Sequence, residues 1–314
     1  MSQERVSPLI QHEESRGMAA PAHLSGEQAG TLSMLGRQST RRRLTRILTH
    51  IALLLLSVMA LVPLVFMFST ALKPYGQEFL FPLRWIPQPI VWDNFVTAWT
   101  TVPTLTFLKN TAIITFGSLV GELISSSLVA YGFARLRFPG RNALFILCVS
   151  QMMLPYVVLI IPLFMMFRTV HWIDTFWPLI VPGWFGVPFY IFLLRQYYLG
   201  LPVELEDAAK IDGAGVLRTW WSIVLPLIKP ALAAVGVFSF VAHWNDFLAP
   251  LIFLHSTDNF TVALGVYQFF GEYQVHMDLV MAYSIIVTLP VILVFFAFQR
   301  YFVQGIALTG LTGR

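Results

Sequence analysis

The residues best suited to chemistry form one polar stretch set between strongly apolar segments. Its carboxylates lie close together around small residues, and such fixed charges can form strong charge-assisted bonds to basic groups on another surface. The chain contains no catalytic set and no metal-ligand cluster that would give these carboxylates another use. The pattern therefore predicts a docking segment. It comprises Glu206, Asp207, Ala208, Ala209, Asp212, Gly213 and Ala214, followed by Leu225 and Pro226.

This stretch, within residues 195–225, is expected to form a helix, a glycine break and a second helix. Pro202 suits the first turn of a helix, and the acidic residues after it complement the positive end of the helix dipole. Glu206 and Lys210 have the favourable i,i+4 spacing for an ion pair. Gly213 can adopt the left-handed conformation that ends the helix, and a second helix is expected over 216–224. The small face expected to approach a partner consists of Leu205, Ala208 and Ala209.

Two further polar groups lie inside apolar segments. Glu122 has Ser125, Ser126 and Ser127 a turn away, and Asn245 and Asp246 follow Trp244. Charges inside a membrane are costly and mark either a pathway or an interior contact. Two interpretations stay open for both groups, a polar cavity for a hydroxyl-rich solute and hydrogen bonding that holds the helices together.

Composition assigns these residues to a membrane protein. The chain of 314 residues is 57% hydrophobic and only 11% charged, with a mean hydropathy of +0.71. Soluble domains carry about 25% charged residues. A spanning helix needs roughly 20 mostly apolar residues. Six stretches meet this length and predict an all-α integral membrane fold: 47–72, 106–134, 143–167, 176–194, 231–254 and 279–303.

The distribution of basic residues predicts the orientation. With six spans, the two termini and the loops after spans two and four lie on one side, and they carry 16 of the 20 lysines and arginines. The positive-inside rule therefore predicts cytoplasmic termini in a multi-pass protein of the cell (inner) membrane. Residues 1–43 are expected to form a disordered cytoplasmic tail, and 44–314 a transmembrane domain.

Several classes are disfavoured. No phosphate-binding loop of the form G-x-x-x-x-G-K-[ST] is present, so ATP would have to bind to a separate chain. The basic residues lie beside span ends, which argues against a nucleic-acid partner. No metal or other cofactor is expected in this chain. His243, His255 and His276 are scattered and are expected to be structural or solvent-exposed.

The polar stretch resembles the EAA loop of ATP-binding cassette (ABC) importer permeases. The resemblance rests on Asp-Ala-Ala at 207–209, Asp-Gly-Ala at 212–214 and Leu-Pro at 225–226, and it covers about residues 40–314. The family's first acidic residue is usually glutamate, and this chain has Asp207 there, with Glu206 before it. Matches typical of the sugar-importer branch are Met-Leu-Pro at 153–155, Ile-Pro-Leu-Phe at 161–164, Trp-Asn-Asp-Phe-Leu at 244–248 and Gly-Ile at 305–306.

The resemblance implies a type I importer permease whose loop is a coupling helix that sits in a cleft of an ATP-binding subunit. It also implies a second, homologous permease subunit, two ATP-binding subunits, an extracytoplasmic solute-binding protein and a sugar as solute. The chain itself would perform no covalent chemistry. Two rivals stay open, a secondary carrier driven by an ion gradient and a membrane protein that only scaffolds partners.

Overall fold

The computed structural model describes residues 26–311 except 79, 83 and 271–275, with side chains for 43–299 apart from the same gaps. The described part is helical, as the composition predicts. Its α-helices are α1 (Gly26–Ala71), α2 (Asp93–Thr101), α3 (Thr104–Arg135), α4 (Arg141–Ser150), α5 (Tyr156–Thr169), α6 (Trp177–Ile180), α7 (Pro188–Leu199), α8 (Glu204–Ile211), α9 (Val216–Thr219), α10 (Leu225–Leu227), α11 (Lys229–Trp244), α12 (Leu248–Phe253), α13 (Val262–Tyr267) and α14 (Met277–Leu311).

Four helical stretches are long and apolar enough to cross a membrane, and the number reaches six if each of two bent helix pairs is one span. The four are Arg43–Ala71, Thr104–Arg135, Trp177–Leu199 and Met277–Gln299. They match the first, second, fourth and sixth predicted spans to within about five residues at every end. This agreement confirms an all-α membrane fold.

The third predicted span is not one straight helix. Its two halves, Arg141–Met153 and Tyr156–Thr169, are bent by 99°. The break lies at Leu154 and Pro155, where both residues take extended backbone angles. Proline disfavours a helical conformation in the residue before it, which accounts for the break at Leu154.

The fifth predicted span, 231–254, also ends earlier than expected. Helix α11 stops at Trp244, and the short helix α12 follows after a three-residue gap. At its other end α11 makes an 82° bend with Val216–Leu227. The bend lies at Ile228, two residues after Pro226 and two before Pro230.

The chain divides into two units, residues 1–63 and 64–314. In the first unit α1 already begins at Gly26, inside the stretch 1–43 for which the sequence predicts disorder. Residues 1–25 lie outside the described residues, so the disordered tail stays a prediction there. The described side chains of this unit, from Arg43 to Pro63, are all exposed, and from Ile47 onwards they are mostly apolar. Such a surface is expected where a helix meets lipid or another helix.

In the second unit, three apolar clusters hold the helices around α3. One joins α3 to α7 and the start of α11, one joins α3 to α11 and α14, and one joins α3 to α5, α6 and α12. The turn that carries Trp184, between α6 and α7, packs closely against α3 at Gly121, because a Cβ at that position would lie 2.3 Å from the ring of Trp184. Helix α3 is therefore the central element: it carries Glu122, and the polar stretch contacts it.

Candidate coupling segment and intramembrane polar cluster

Helix α8 and the glycine after it form as the sequence predicts. Helix α8 ends at Ile211, and Gly213 adopts φ +79° in the left-handed region. The backbone N–H of Ala214 donates to the carbonyl of Ala209 at 2.9 Å, and that of Gly213 donates to Lys210 at 3.0 Å. These two bonds are the pair that closes a helix at a left-handed glycine. The predicted break at Gly213 is confirmed.

The inner face of α8 is tied to the C-terminal end of α3. Glu206 forms an ion pair with Arg135, at 2.8 Å between Oε1 and Nε, and both side chains are less than a tenth exposed. The Tyr131 hydroxyl donates to the other Glu206 oxygen at 3.1 Å, and Arg135 also donates to the carbonyl of Leu201 at 2.6 Å. The sequence prediction that Glu206 pairs with Lys210 is therefore wrong, because Glu206 points into the bundle.

The outer face of α8 is narrower than the sequence suggests. Ala209 is only 4% exposed, so it belongs to the inner face with Glu206 and not to the predicted docking face. Ala208 is exposed, and Ile211 is 88% exposed. Asp207 points outward and pairs with Lys210 at 2.9 Å in an exposed contact of the i,i+3 type. Spacing alone had grouped both alanines on one face.

The second part of the loop is anchored by a tryptophan. Trp220 is buried, and its indole N–H lies 3.3 Å from the Ser127 hydroxyl and 3.2 Å from the Tyr198 hydroxyl. Those two hydroxyls are themselves 2.7 Å apart. A π-helical turn over Trp220–Val224 leads through Leu225 and Pro226 to the bend before α11. Both halves of the loop are thus fixed to α3, and α8 has a rigid base.

Glu122 forms a separate cluster deep in the bundle. Its Oε2 accepts from the Ser239 hydroxyl at 2.6 Å, and its Oε1 lies 2.9 Å from His243 Nε2. Both partners are on α11, so the cluster joins α3 to α11. His243 is thus a structural histidine, as expected. The serines that neighbour Glu122 in sequence bond elsewhere: Ser125 to the Gly121 and Gly183 carbonyls, Ser126 to the Val187 N–H, and Ser127 to Tyr198.

Trp244, Asn245 and Asp246 do not form one site. Trp244 is buried and donates its indole N–H to the Val287 carbonyl at 2.9 Å. Asn245 is exposed, and its amide donates to the Val241 carbonyl at 3.0 Å. The Asp246 carboxylate accepts from the Ala249 N–H at 3.3 Å, in the first turn of α12. Asn245 and Asp246 therefore bond within their own turns, whereas Trp244 joins α11 to α14.

Trp244 and Asn245 also line a cavity of about 390 Å³ that the sequence does not reveal. Its wall combines aromatic rings with small polar groups, and Tyr267 lies 6.0 Å from Phe247 and 6.2 Å from Phe270 between ring centres. Asp246 and Glu122 are not among its lining residues. The further polar groups on the wall are Ser284 and Thr288.

A network around Asp174 joins the loop after α5 to the loop after α12, and sequence reasoning missed it. The Asp174 carboxylate accepts from the backbone N–H groups of His255 and Ser256, at 2.9 Å each, and from the Ser256 hydroxyl and the Asn259 amide. Burial alone would raise the pKa of this carboxyl. The hydrogen bonds from Ser256, His255 and Asn259 together lower it by more than burial raises it, so the pKa lies well below its ordinary value. In the sequence, the signal for this network is a single aspartate between two apolar stretches.

Within the part of the chain that the structure describes, no group of three or more His, Cys, Asp or Glu side chains could hold a metal ion.

Comparison with known proteins places this geometry in a transport family. A family model described as "Binding-protein-dependent transport system inner membrane component" matches residues 123–308. The arabinooligosaccharides transport system permease protein AraQ of Halalkalibacterium halodurans is 35% identical over 246 residues, covering 78% of this chain and 86% of that protein. The sn-glycerol-3-phosphate transport system permease protein UgpE of Yersinia enterocolitica is 33% identical over 273 residues, covering 84% and 97%.

The fold also has a solved counterpart. A chain of a bacterial ABC transporter involved in the import of the acidic polysaccharide alginate superposes with a TM-score of 0.73, covering 83% of this chain and 97% of that chain. The sequence identity is 22%, so this likeness concerns the fold.

Proposed function

The chain belongs to the family of inner membrane components of binding-protein-dependent transport systems, and we propose that it couples ATP hydrolysis on separate subunits to import of a sugar or an oligosaccharide. In this proposal it is a multi-pass subunit of the cell membrane with both termini in the cytoplasm. It works beside a second permease subunit, two ATP-binding subunits and an extracytoplasmic solute-binding protein.

The observation that carries the coupling role is the two-sided character of α8. Its inner face is fixed to α3 through the Glu206–Arg135 pair, while Asp207, Ala208 and Ile211 face outward. A force applied to the outer face therefore reaches α3 through a buried contact and not through a loose loop. This arrangement suits a lever between an ATP-binding subunit and the spans.

The charges on the outer face indicate what the partner surface offers. The exposed Asp207–Lys210 pair contributes little stability, since exposed pairs contribute about 0–1 kcal/mol. Breaking this pair therefore costs little free energy, so both side chains can form new contacts with groups on a docked surface. Asp212 is exposed beside them and adds a second carboxylate. The expected cleft contains basic groups beside a small apolar depression for Ala208 and Ile211.

The solute class rests on relatives and on the aromatic cavity. Transport of arabinooligosaccharides by AraQ-type systems favours a carbohydrate. The cavity that Asn245, Phe247 and Tyr267 line offers ring faces and an amide, a combination that fits the apolar faces and hydroxyls of a sugar. We propose that this cavity contacts the solute during passage.

The experiment that tests the function separates ATP from an ion gradient as the driving force. The chain, its operon-encoded partners and the solute-binding protein are reconstituted in liposomes, and uptake of labelled arabinooligosaccharides is followed. Uptake that requires internal ATP and persists with protonophore and sodium ionophore supports the proposal. Uptake abolished by ionophores but indifferent to ATP would support a gradient-driven carrier, for which the buried Glu122–His243 contact would be the natural ion-handling group.

A second arm addresses the solute. An Asn245→Ala variant removes the amide from the cavity wall, and we expect a several-fold rise in the solute concentration needed for half-maximal uptake. ATP hydrolysis stimulated by the loaded binding protein should persist. An unchanged concentration dependence would exclude this cavity from the pathway and leave the coupling role intact.

A further inference from the structure

Two cavities meet where the chain turns from α3 into α4. One has a volume of about 400 Å³ and the other about 680 Å³, and Arg137 and Arg141 line both. The larger cavity extends to α8, where Glu206 and Lys210 form part of its wall. These arginines contribute to the predicted orientation, and the coupling role gives them no further task.

The acidic side chains of the larger cavity are already engaged. Glu206 is paired with Arg135 at 2.8 Å, and Asp207 is paired with Lys210 at 2.9 Å. Neither carboxylate forms an ion pair with Arg137 or Arg141.

Arg137 and Arg141 therefore carry uncompensated charge. Among the described residues neither forms an ion pair, and Arg141 donates only to the Leu136 carbonyl at 3.2 Å. A third arginine lies close by, because the Arg195 guanidinium sits 4.2 Å from the ring centre of Phe145, one helical turn after Arg141. Arg195 does not line either cavity, but its charge adds to the positive potential around Arg137 and Arg141, which favours an anion between those two arginines.

The surroundings favour an anion attached to an apolar tail. Leu136 and Phe138 are exposed beside the cavities, and α4 continues away from them with exposed Leu144 and Leu147. An arginine group at the edge of an apolar helical surface is the arrangement found at the headgroup level of a bilayer. The positive-inside rule explains arginines at this end of the spans, but it does not require two of them to share cavities without a carboxylate of their own.

We propose that Arg137 and Arg141, with Arg195 beside them, bind the phosphate of an anionic phospholipid at the cytoplasmic headgroup level. The phosphate occupies the adjoining cavities, and the acyl chains lie along the exposed apolar side of α4. The bound lipid would rest next to the Arg135–Glu206 pair that fixes α8. Its presence would therefore stiffen the base of the coupling segment. The inference requires membrane insertion but is independent of the transported solute.

The test counts lipids on the intact complex. The complex is released from membranes containing phosphatidylglycerol into mild detergent, and native mass spectrometry measures how much phosphatidylglycerol stays bound. The double variant Arg137→Gln/Arg141→Gln should retain at least about tenfold less, given the usual contribution of basic residues at an anionic surface. The control Arg84→Gln/Arg168→Gln removes the same charge from two exposed positions elsewhere, one before α2 and one in the last turn of α5, and should retain as much as the wild type.

Further arms distinguish lipid from other anions and guard against misfolding. Arg137→Lys/Arg141→Lys keeps the charge and should recover much of the retention. Added inorganic phosphate should not displace the lipid, whereas added cardiolipin should. Equal retention by the double glutamine variant would overturn the proposal, and so would displacement by inorganic phosphate at matched concentration. Loss of the ATP-binding subunit with lipid retention unchanged would also overturn it and would assign these arginines to a protein interface.

Discussion

Glu206 and Glu122 are buried to the same degree, 5% exposed each, and both lie against a basic side chain. Their surroundings differ in how much polar surface remains available to a partner. Around Glu206, one face of a short helix is fixed, and on the opposite face the one ion pair among the described residues is the exposed Asp207–Lys210 contact. Around Glu122, the described polar atoms of the cluster bond to one another across α3 and α11.

The difference separates a surface that can respond from a contact that holds helices together. A satisfied polar cluster between two spans contributes mainly cohesion, as interhelical hydrogen bonds in membranes do. A helix that is fixed on one side and free on the other can transmit a partner's movement. We therefore propose that α8 couples the subunits and that Glu122 holds the helices together. Variants of the two regions can separate these roles.

The largest expected effect comes from breaking the inner contact of α8. Glu206→Gln leaves Arg135 charged and buried without its carboxylate, which should lower the free energy of unfolding by about 3 kcal/mol, the low end for broken buried pairs. The matched variant Asp207→Asn alters the exposed pair and should change stability by less than about 1 kcal/mol. Thermal unfolding in detergent measures both.

The double variant Arg135→Gln/Glu206→Gln checks the cause, because it removes both charges and should recover much of the lost stability. Equal destabilisation by Glu206→Gln and Asp207→Asn would contradict the two-sided description of α8.

The interior cluster should affect stability without affecting coupling. Glu122→Ala leaves the Ser239 hydroxyl and the His243 ring without their partner, which should cost about 2 kcal/mol of stability. Uptake per folded complex and its dependence on solute concentration should not change. A shifted solute dependence in correctly folded protein would instead place Glu122 on the pathway.

Gly213 tests the outer side with a smaller effect on stability. A Gly213→Val variant meets no neighbouring atom but must adopt φ +79°, which costs an L-residue about 1–2 kcal/mol. The exit from α8 should therefore change shape, and ATP hydrolysis should continue with little uptake. Gly215 has an ordinary φ of −70° and equally open space, so Gly215→Ala is the matched control and should transport normally. Normal uptake by Gly213→Val would exclude a need for this turn.

The smallest effect concerns the loop network around Asp174, which belongs to neither region. Because its pKa is lowered in the folded protein, the carboxylate stabilises the fold above the ordinary aspartate pKa of about 3.9 and stops doing so as the pH falls through and below it. Asp174→Asn should remove about 1 kcal/mol at neutral pH. The gap between the unfolding midpoints of the two proteins should close on acidification. A constant gap would show that Asp174 acts by shape alone.

The sequence predicted the elements better than it predicted their orientation. Length and apolar content located the spans, and Gly213 marked the end of α8, because both signals are local in the chain. The inward turn of Glu206 and Ala209 depends on Arg135 and Tyr131, which are about seventy residues away in the chain. Spacing along one helix does not reveal which neighbour faces it.

The same limit explains the polar interior and the breaks. The serines next to Glu122 looked like its partners, but a helix directs them toward α7 and the turn before it, while Ser239 and His243 come from α11. The sequence shows Pro155 in the third span and Pro226 before the fifth, but whether a proline bends or breaks a helix depends on the packing around it. The aromatic cavity and the arginine cavities require several helices at once and have no sequence signal of their own.

The most direct test is site-specific crosslinking on the two faces of α8. In a Cys148→Ala background, single cysteines replace Ala208 on the outer face and Ala209 on the inner face, and a photoactivatable thiol reagent is attached in native membranes. The account predicts that the cysteine at position 208 crosslinks to a P-loop ATPase identified by mass spectrometry, whereas the buried one at 209 reacts little and yields none. A reactive cysteine at 208 that captures no ATPase in an intact, transporting complex would contradict the account.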